Sequence, residues 1–240
     1  MRLSSAQPNG APQQAPRVTR FHDRRDAGRR LASLLGRFCD ERPVVVGIAR
    51  GGVPVAAEVA RVLGAPLDVA LVRKVGAPGN PEFAIGALAE GGVRVLSEPL
   101  VHALSLSEAQ LRELLAGVEA GLVERLRRYR GAEEPIDLGG RTAILVDDGL
   151  ATGRSAQAAV RSLRRRGAAR VILAVPVAAP ESARALGAEA DEVVCVEVPP
   201  NFWAVGYWYK DFRPTPDEEV AQLLAAANPQ SEAGPSSGCL

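Results

Sequence analysis

The stretch Ala143–Ser155, AILVDDGLATGRS, decides the reading of this chain. Thr142–Val146 (TAILV) is a short unbroken apolar run, as in a strand covered on both faces. It delivers two acids, Asp147 and Asp148, at its carboxyl end. Four residues later Thr152-Gly153-Arg154-Ser155 opens a segment patterned as a helix to Arg166. Free N–H groups at a helix start, the positive end of its dipole and two hydroxyls form a ready cradle for phosphate. Like charges repel, so an acidic pair beside that cradle suits a ligand that also offers something neutral or cationic, such as sugar hydroxyls or a metal.

Outward from this stretch, strand-like and helix-like patterns alternate. Further buried strands are expected at Val44–Ala49, Leu67–Val72, Val171–Val175 and Val193–Val198. Helices are expected at Asp23–Cys39, Val53–Leu63, Glu181–Leu186 and Pro216–Ala227. A long helix capped by Ser107 runs to about Tyr129. Residues 75–95, rich in Gly and Pro, read as a long loop or a loose hairpin. The pattern defines an α/β fold, a doubly wound and mostly parallel five-stranded sheet with helices on both faces. Ligands in such folds sit beyond the carboxyl ends of the strands. Arg50-Gly51-Gly52 is a second Gly-rich turn in that position, directly after one strand and before a helix.

The chain has 240 residues, of which 24% are charged, with a formal net charge of +1. That length suits one domain with tails, 17–227, flanked by Pro/Gly/Ser-rich segments 1–16 and 228–240 that read as disordered. The charge balance lacks the footprint of a nucleic-acid binder. No apolar run reaches the length of a membrane span, and the N-terminus does not read as a signal peptide. Cys39, Cys195 and Cys239 are odd in number and far apart, suggesting neither a disulfide framework nor a metal cluster; a cytoplasmic location fits best. There is no G-x-x-x-x-G-K-[ST], no G-x-G-x-x-G after a strand and no G-x-S-x-G. His22 and His102 lie outside the strand-end loops, against a triad or a His-based metal site. Of 29 basic residues only Lys74 and Lys210 are lysine.

AILVDDGLATGRS resembles the phosphoribosyl diphosphate motif of the type I phosphoribosyltransferases: four apolar residues, two acids, a short apolar stretch, then Thr-Gly-x-Ser. Gly149 replaces the usual apolar residue. Arg50-Gly51-Gly52 resembles the pyrophosphate loop of that family, in which the peptide at the position of Ala49–Arg50 is often cis. The resemblance covers most of residues 44–213. It implies transfer of a 5-phosphoribosyl group to a nitrogen of a small base, with release of pyrophosphate and with Mg²⁺ as cofactor.

Carried over residue by residue, the resemblance gives Ala151, Thr152, Gly153, Arg154 and Ser155 to the 5-phosphate. Asp147 and Asp148 take the ribose hydroxyls and favour a positive ring in the transition state. Arg50, Gly51, Gly52, Arg73 and Lys74 face pyrophosphate, and Lys74 joins the acidic pair as a catalytic residue. The aromatic-rich segment Asn201–Phe212, within a small hood at about 199–213, is similar to the end of the 6-oxopurine enzymes. There Phe202 or Trp203 would stack on the base, and Ala204 or Val205 would offer backbone groups. Asp211 falls near the metal-linked aspartate.

Two departures stand out. Ala151 replaces the acid that hypoxanthine–guanine enzymes carry, as it does in adenine and uracil enzymes. Pro176 or Val177 stands where the 6-oxopurine enzymes place a Lys. The donor, phosphoribosyl diphosphate, is therefore better specified than the acceptor, a purine-like base. A homodimer is implied by resemblance alone. The alternative is a non-catalytic sensor of the donor or of a nucleotide on the same fold, which retention of Arg73 and Lys74 disfavours. A receiver domain would need its acidic pair near its start, and about 100 ordered residues precede this one.

Overall fold

A computed structural model describes residues 20–131 and 134–228; the expected tail 1–16 lies outside them, as does 229–240. Five strands form the central parallel sheet: β1 (Val44–Ile48), β2 (Leu67–Ala70), β6 (Thr142–Val146), β7 (Arg170–Val177) and β8 (Glu192–Glu197). Their order across the sheet is β2-β1-β6-β7-β8, every neighbouring pair parallel. Side chains alternate between two separate cores. Val45, Ile144, Val146, Ile172 and Ala174 face one, and Val44, Val46, Leu145, Leu173 and Val175 face the other. Burial on both faces is what the unbroken apolar runs encode.

One face is covered by α1 (Arg24–Leu35), α2 (Gly52–Leu63) and α7 (Asp217–Ala227); the other by α5 (Arg154–Arg165) and α6 (Pro180–Leu186). Local signals explain several boundaries. The Asp23 side chain accepts from the Asp26 amide at 2.8 Å and caps α1. Gly28 lets α1 lie on α2, since a Cβ there would stand 2.7 Å from the Val55 carbonyl. α2 stops at Gly64, whose φ of +59° is left-handed. α7 ends at Asn228, whose amide exchanges hydrogen bonds with the Leu67 backbone. This residue, placed in the tail by composition, thus ties the domain's end to the sheet edge.

The largest departure from the sequence reading is residues 72–96. They form an antiparallel sheet of β3 (Val72–Ala77), β4 (Asn80–Ala89) and β5 (Val93–Leu96), so the hairpin alternative holds for β3–β4, tightly packed rather than loose, and the loop alternative does not. Its glycines mark close crossings rather than flexibility. A Cβ on Gly76 would meet the Pro81 carbonyl at 2.4 Å, and one on Gly86 the Val95 carbonyl at 2.5 Å. A short helix, α3 (Glu98–Ala103), follows, then α4 (Glu108–Arg130) with a full capping box between Ser107 and Gln110. The small sheet is filled on both sides. Ala87, Ala89 and Val93 pack on Ala158 of α5, while Val75, Ala77, Ile85 and Leu88 pack on Leu115 of α4. The long helix therefore covers this second sheet and then reaches the main core through Leu122, Leu126 and Tyr129.

A buried ionic cluster joins the two sheets. Arg130 donates to Asp68 and to Glu90, and Arg166 donates to Asp68 and lies 3.8 Å from Glu90. Asp68 is only 3% exposed. Among the described residues no helix is long and apolar enough to cross a membrane.

Candidate active site

The carboxyl ends of β1, β6, β7 and β8 lie at one edge of the sheet, and the loops that leave them converge. β6 hands the chain to Asp147 and Asp148. Leu150 then pairs with β7, its amide donating to the Val177 carbonyl at 2.8 Å, while the Ala179 amide returns to the Leu150 carbonyl at 2.8 Å. The Ser182 hydroxyl, from α6, donates to the Ala151 carbonyl. These bonds fix the turn Ala151–Gly153. Gly153 adopts φ +73°, a left-handed conformation that lets the chain drop directly into α5. No side chain caps α5, and its first intrahelical bond is from the Gln157 amide to the Gly153 carbonyl. The N–H groups before it point out of the helix start, next to exposed Thr152 and Arg154 and half-buried Ser155.

The β1 turn presses against the acidic pair. The Ala49–Arg50 peptide is cis, as the resemblance anticipated. Both glycines are there because nothing larger fits. A Cβ on Gly51 would sit 2.0 Å from Asp148 Oδ2, and one on Gly52 would sit 2.6 Å from the Val146 carbonyl. Gly149 has its own reason. Its Cβ would collide at 2.5 Å with Val205, whose side chain closes down from the hood.

Each acid is held through one oxygen. Asp147 Oδ1 accepts the Asp148 amide at 2.9 Å. Asp148 Oδ2 accepts Nε of Arg24 at 2.9 Å, and Nη2 of Arg24 lies 2.8 Å away. The other oxygen of each has no protein partner among the described residues. Burial raises the pKa of both groups. For Asp147 the charge of Asp148 adds to that rise, whereas for Asp148 Arg24 opposes it.

Arg24 is the residue that sequence reading missed. It lies on α1, far from any recognisable motif, and one arginine among so many carries no signal. The same guanidinium donates to the Arg213 carbonyl at 2.7 Å and lies 4.0 Å over the Phe212 ring. Tyr209 was also missed in this role; its hydroxyl donates to the Asp148 carbonyl at 2.6 Å.

The remaining expected residues divide. Phe202 is partly buried, packed with Val205 and Phe212 against Phe21, Val177, Trp208 and Tyr209. Trp203 is 83% exposed, which leaves it the ring with an open face, and Ala204 is exposed beside it. Arg50 lies 3.8 Å from Asp217 at the start of α7, and Asp217 also accepts the Tyr129 hydroxyl at 2.6 Å.

Arg73 and Lys74 are exposed on β3. Arg73 turns away toward α4, its guanidinium 2.5 Å from where a Cβ on Gly121 would stand. Both line a cavity of about 530 Å³ with Gln110, Glu113, Leu114 and Val118 of α4. Arg73 and Lys74, which the resemblance gives to pyrophosphate, thus lie along α4 in this structure.

Asp211 does not join the acidic pair as a free ligand. Arg213 grips its carboxylate through Nε and Nη2, holding its pKa down to about 2. Among the described residues no group of three or more His, Cys, Asp or Glu converges on one point. The open oxygens of Asp147 and Asp148 do suit a hard cation. Mg²⁺ takes one or two carboxylates, keeps several waters and shares the oxygens of a bound phosphate, so it needs no protein cage.

A doubly wound sheet with an uncapped helix start, a glycine turn and paired acids at one edge puts this chain among the α/β proteins whose strand-end loops gather into one site. The sequence profile of the phosphoribosyl transferase domain matches residues 18–211, and the chain belongs to that family. It is 45% identical over 208 residues to a Mycobacterium tuberculosis protein named "Putative phosphoribosyl transferase Rv0571c", covering 87% of this chain and 47% of that one. The chain spans about half the length of the curated relatives it matches. A "Uracil phosphoribosyltransferase" of Lactobacillus gasseri is 50% identical over 52 residues, 22% of this chain and 25% of that protein. Among solved structures, TT1426 from Thermus thermophilus superposes with a TM-score of 0.74 at 48% identity, covering 87% of this chain and 99% of that one.

Proposed function

We propose that the protein transfers the 5-phosphoribosyl group of phosphoribosyl diphosphate to a nitrogen of a purine-like base, with Mg²⁺ as cofactor. The observation that carries this reading is the junction of β6 and α5. There two carboxylates with open oxygens stand beside an uncapped helix start and against a glycine turn.

In this reading the N–H groups of Gly153–Ser155 and the hydroxyls of Thr152 and Ser155 receive the 5-phosphate. The open oxygens of Asp147 and Asp148 accept the ribose hydroxyls. As the bond from C1 to pyrophosphate breaks, the ring gains positive charge, and two carboxylates fixed beforehand stabilise it without reorganising. The turn Arg50–Gly52 meets the departing pyrophosphate, which requires Arg50 to leave Asp217. Lys74 and Arg73 arrive when the β3–β4 hairpin closes, shielding the ring from water. Mg²⁺ supplies neutralisation of the pyrophosphate charge, and Asp147 and Asp148 are the residues that suit it. Trp203 stacks on the base, and the Ala204–Val205 backbone reads its edge.

The test has two parts. Calorimetric titration of phosphoribosyl diphosphate, with and without Mg²⁺, measures donor binding. A panel of purine and pyrimidine bases is then screened for pyrophosphate release. Mg²⁺-dependent binding with turnover on a purine supports the proposal. Binding with no turnover on any base would leave a sensor of the donor.

A further inference from the structure

Arg24 is the only cation in contact with either acid among the described residues, and it comes from outside the motif-bearing loops. Its pair with Asp148 is largely enclosed, the two side chains being 13% and 15% exposed. Both of its contacts to the acid fall on Oδ2, leaving Oδ1 open. Gly51 makes the pair possible, since its missing Cβ would stand 2.0 Å from Asp148 Oδ2 and 3.3 Å from Arg24 Nε.

The third donor goes elsewhere. Nη1 binds the Arg213 carbonyl, and the guanidinium plane covers Phe212, so the same group grips the end of the hood. The chain just before Arg24 repeats that attachment. The Phe21 amide donates to the Trp208 carbonyl at 2.8 Å, and the Lys210 and Asp211 amides donate to the Phe21 and His22 carbonyls at 2.9 Å each. Residues 21–24 are therefore laced along the hood and end in a fork that reaches the acidic pair. A planar, permanently charged fork can serve two acceptors at once, which an ammonium cannot do in the same geometry.

We propose that Arg24 is a positioning residue that fixes Asp148 through Oδ2 and ties it to the hood, so that donor site and base site are assembled as one unit. This rests on the phosphoribosyl transfer reading above. Arg24 touches no reacting atom; it acts by aiming Oδ1 of Asp148 and by holding the aromatic segment that carries Trp203. Misplacement of such a group by about 1 Å can cost on the order of 10²-fold in rate.

The experiment compares wild type with Arg24→Met and Arg24→Lys. Calorimetry with phosphoribosyl diphosphate and Mg²⁺ reads the donor site. Acrylamide quenching of tryptophan fluorescence reads the hood, because Trp208 is buried there and Trp203 is already exposed. Arg24→Met is expected to weaken donor binding by about 10–100-fold, the range for losing one hydrogen bond to a charged group, and to raise the quenching of Trp208. Arg24→Lys keeps the charge but not the fork, so it should recover most of the donor affinity while quenching stays high. A merely structural residue would lower the melting temperature and leave this split absent.

If wild type binds the donor and either variant matches it in both affinity and quenching, the role of Arg24 is overturned and the proposed function stands. If wild type does not bind the donor, the proposed function falls. In that case unchanged quenching in Arg24→Met also removes the tether to the hood.

Discussion

Two groups of buried charge in this molecule look alike in composition and differ in closure. At the junction of the two sheets, Asp68 and Glu90 face Arg130 and Arg166. Every carboxylate oxygen there has an arginine partner, and Asp68 also caps the Val69 amide. At the strand ends, Asp147 and Asp148 face Arg24 alone, and two of their four oxygens are open. The first group is balanced and finished without a ligand. The second keeps a surplus negative charge in a partly enclosed place, an arrangement that costs stability until a ligand supplies hydroxyls or a cation. On the proposed function, the contrast separates charges that hold the fold from charges held ready for chemistry.

The sharpest way to break the contrast is to open the closed cluster. Arg130→Met strips Glu90 of its close partner and Asp68 of one of its two, leaving Arg166 2.7 Å from Asp68 and 3.8 Å from Glu90. Leaving one partner of a buried pair uncompensated should cost about 3–5 kcal/mol. Denaturant unfolding should show that loss, and any activity per folded molecule should be retained. A variant that stays as stable as wild type would mean the cluster is not what locks the small sheet to the large one.

A smaller effect of opposite sign is expected at the open pair. Burial and Asp148 raise the pKa of Asp147 above its unfolded value. The folded state therefore binds more protons than the unfolded one between those two values, and stability falls as pH rises through that window. Asp147→Asn removes the penalty while keeping an acceptor for the Asp148 amide. Its melting temperature should exceed wild type at pH 8 by about 2–4 °C, equivalent to roughly 1 kcal/mol for a domain of this size. The gain should shrink toward pH 4 as the wild-type acid becomes protonated. Donor binding should be lost in the same variant. A variant less stable than wild type at pH 8 would show that the pair is not held under strain of charge.

The smallest effect on stability is expected in the hood, where two tryptophans also differ in closure. Trp203 projects into solvent, and Trp208 is buried. Trp203→Ala should leave the melting temperature within about 1 °C, since it removes little packing. It should weaken the acceptor base by about 1–3 kcal/mol, the range found for base–aromatic stacking. Unchanged acceptor KM would transfer the stacking role away from Trp203.

Much of the fold was legible because its strands are buried on both faces. An unbroken apolar run such as Thr142–Val146 can be little else when turn residues and helical patterns flank it, and the structure gives that strand the same bounds. The small sheet was legible only as a long loop or a loose hairpin. β3 and β5 carry valines but are only six and four residues long, β4 mixes Pro81, Ala and Gly with few β-branched residues, and Gly76 and Gly86 read as flexibility when they are sites of close packing. The candidate site divides in the same way. Asp147, Asp148 and Thr152–Ser155 are contiguous, so one strand-to-helix junction carries their geometry.

The sequence by itself therefore determined the parallel α/β class and the succession of paired acids, turn and helix start at the end of β6, because local periodicity and adjacency encode both. Only the tertiary structure decided that Arg24 and Tyr209 meet Asp148, that Arg213 occupies Asp211 and that Arg73 turns toward α4. Apart from Asp211 and Arg213, two residues apart, those pairings join residues far apart along the chain, and no local pattern can specify which of many arginines a fold will bring to one carboxylate.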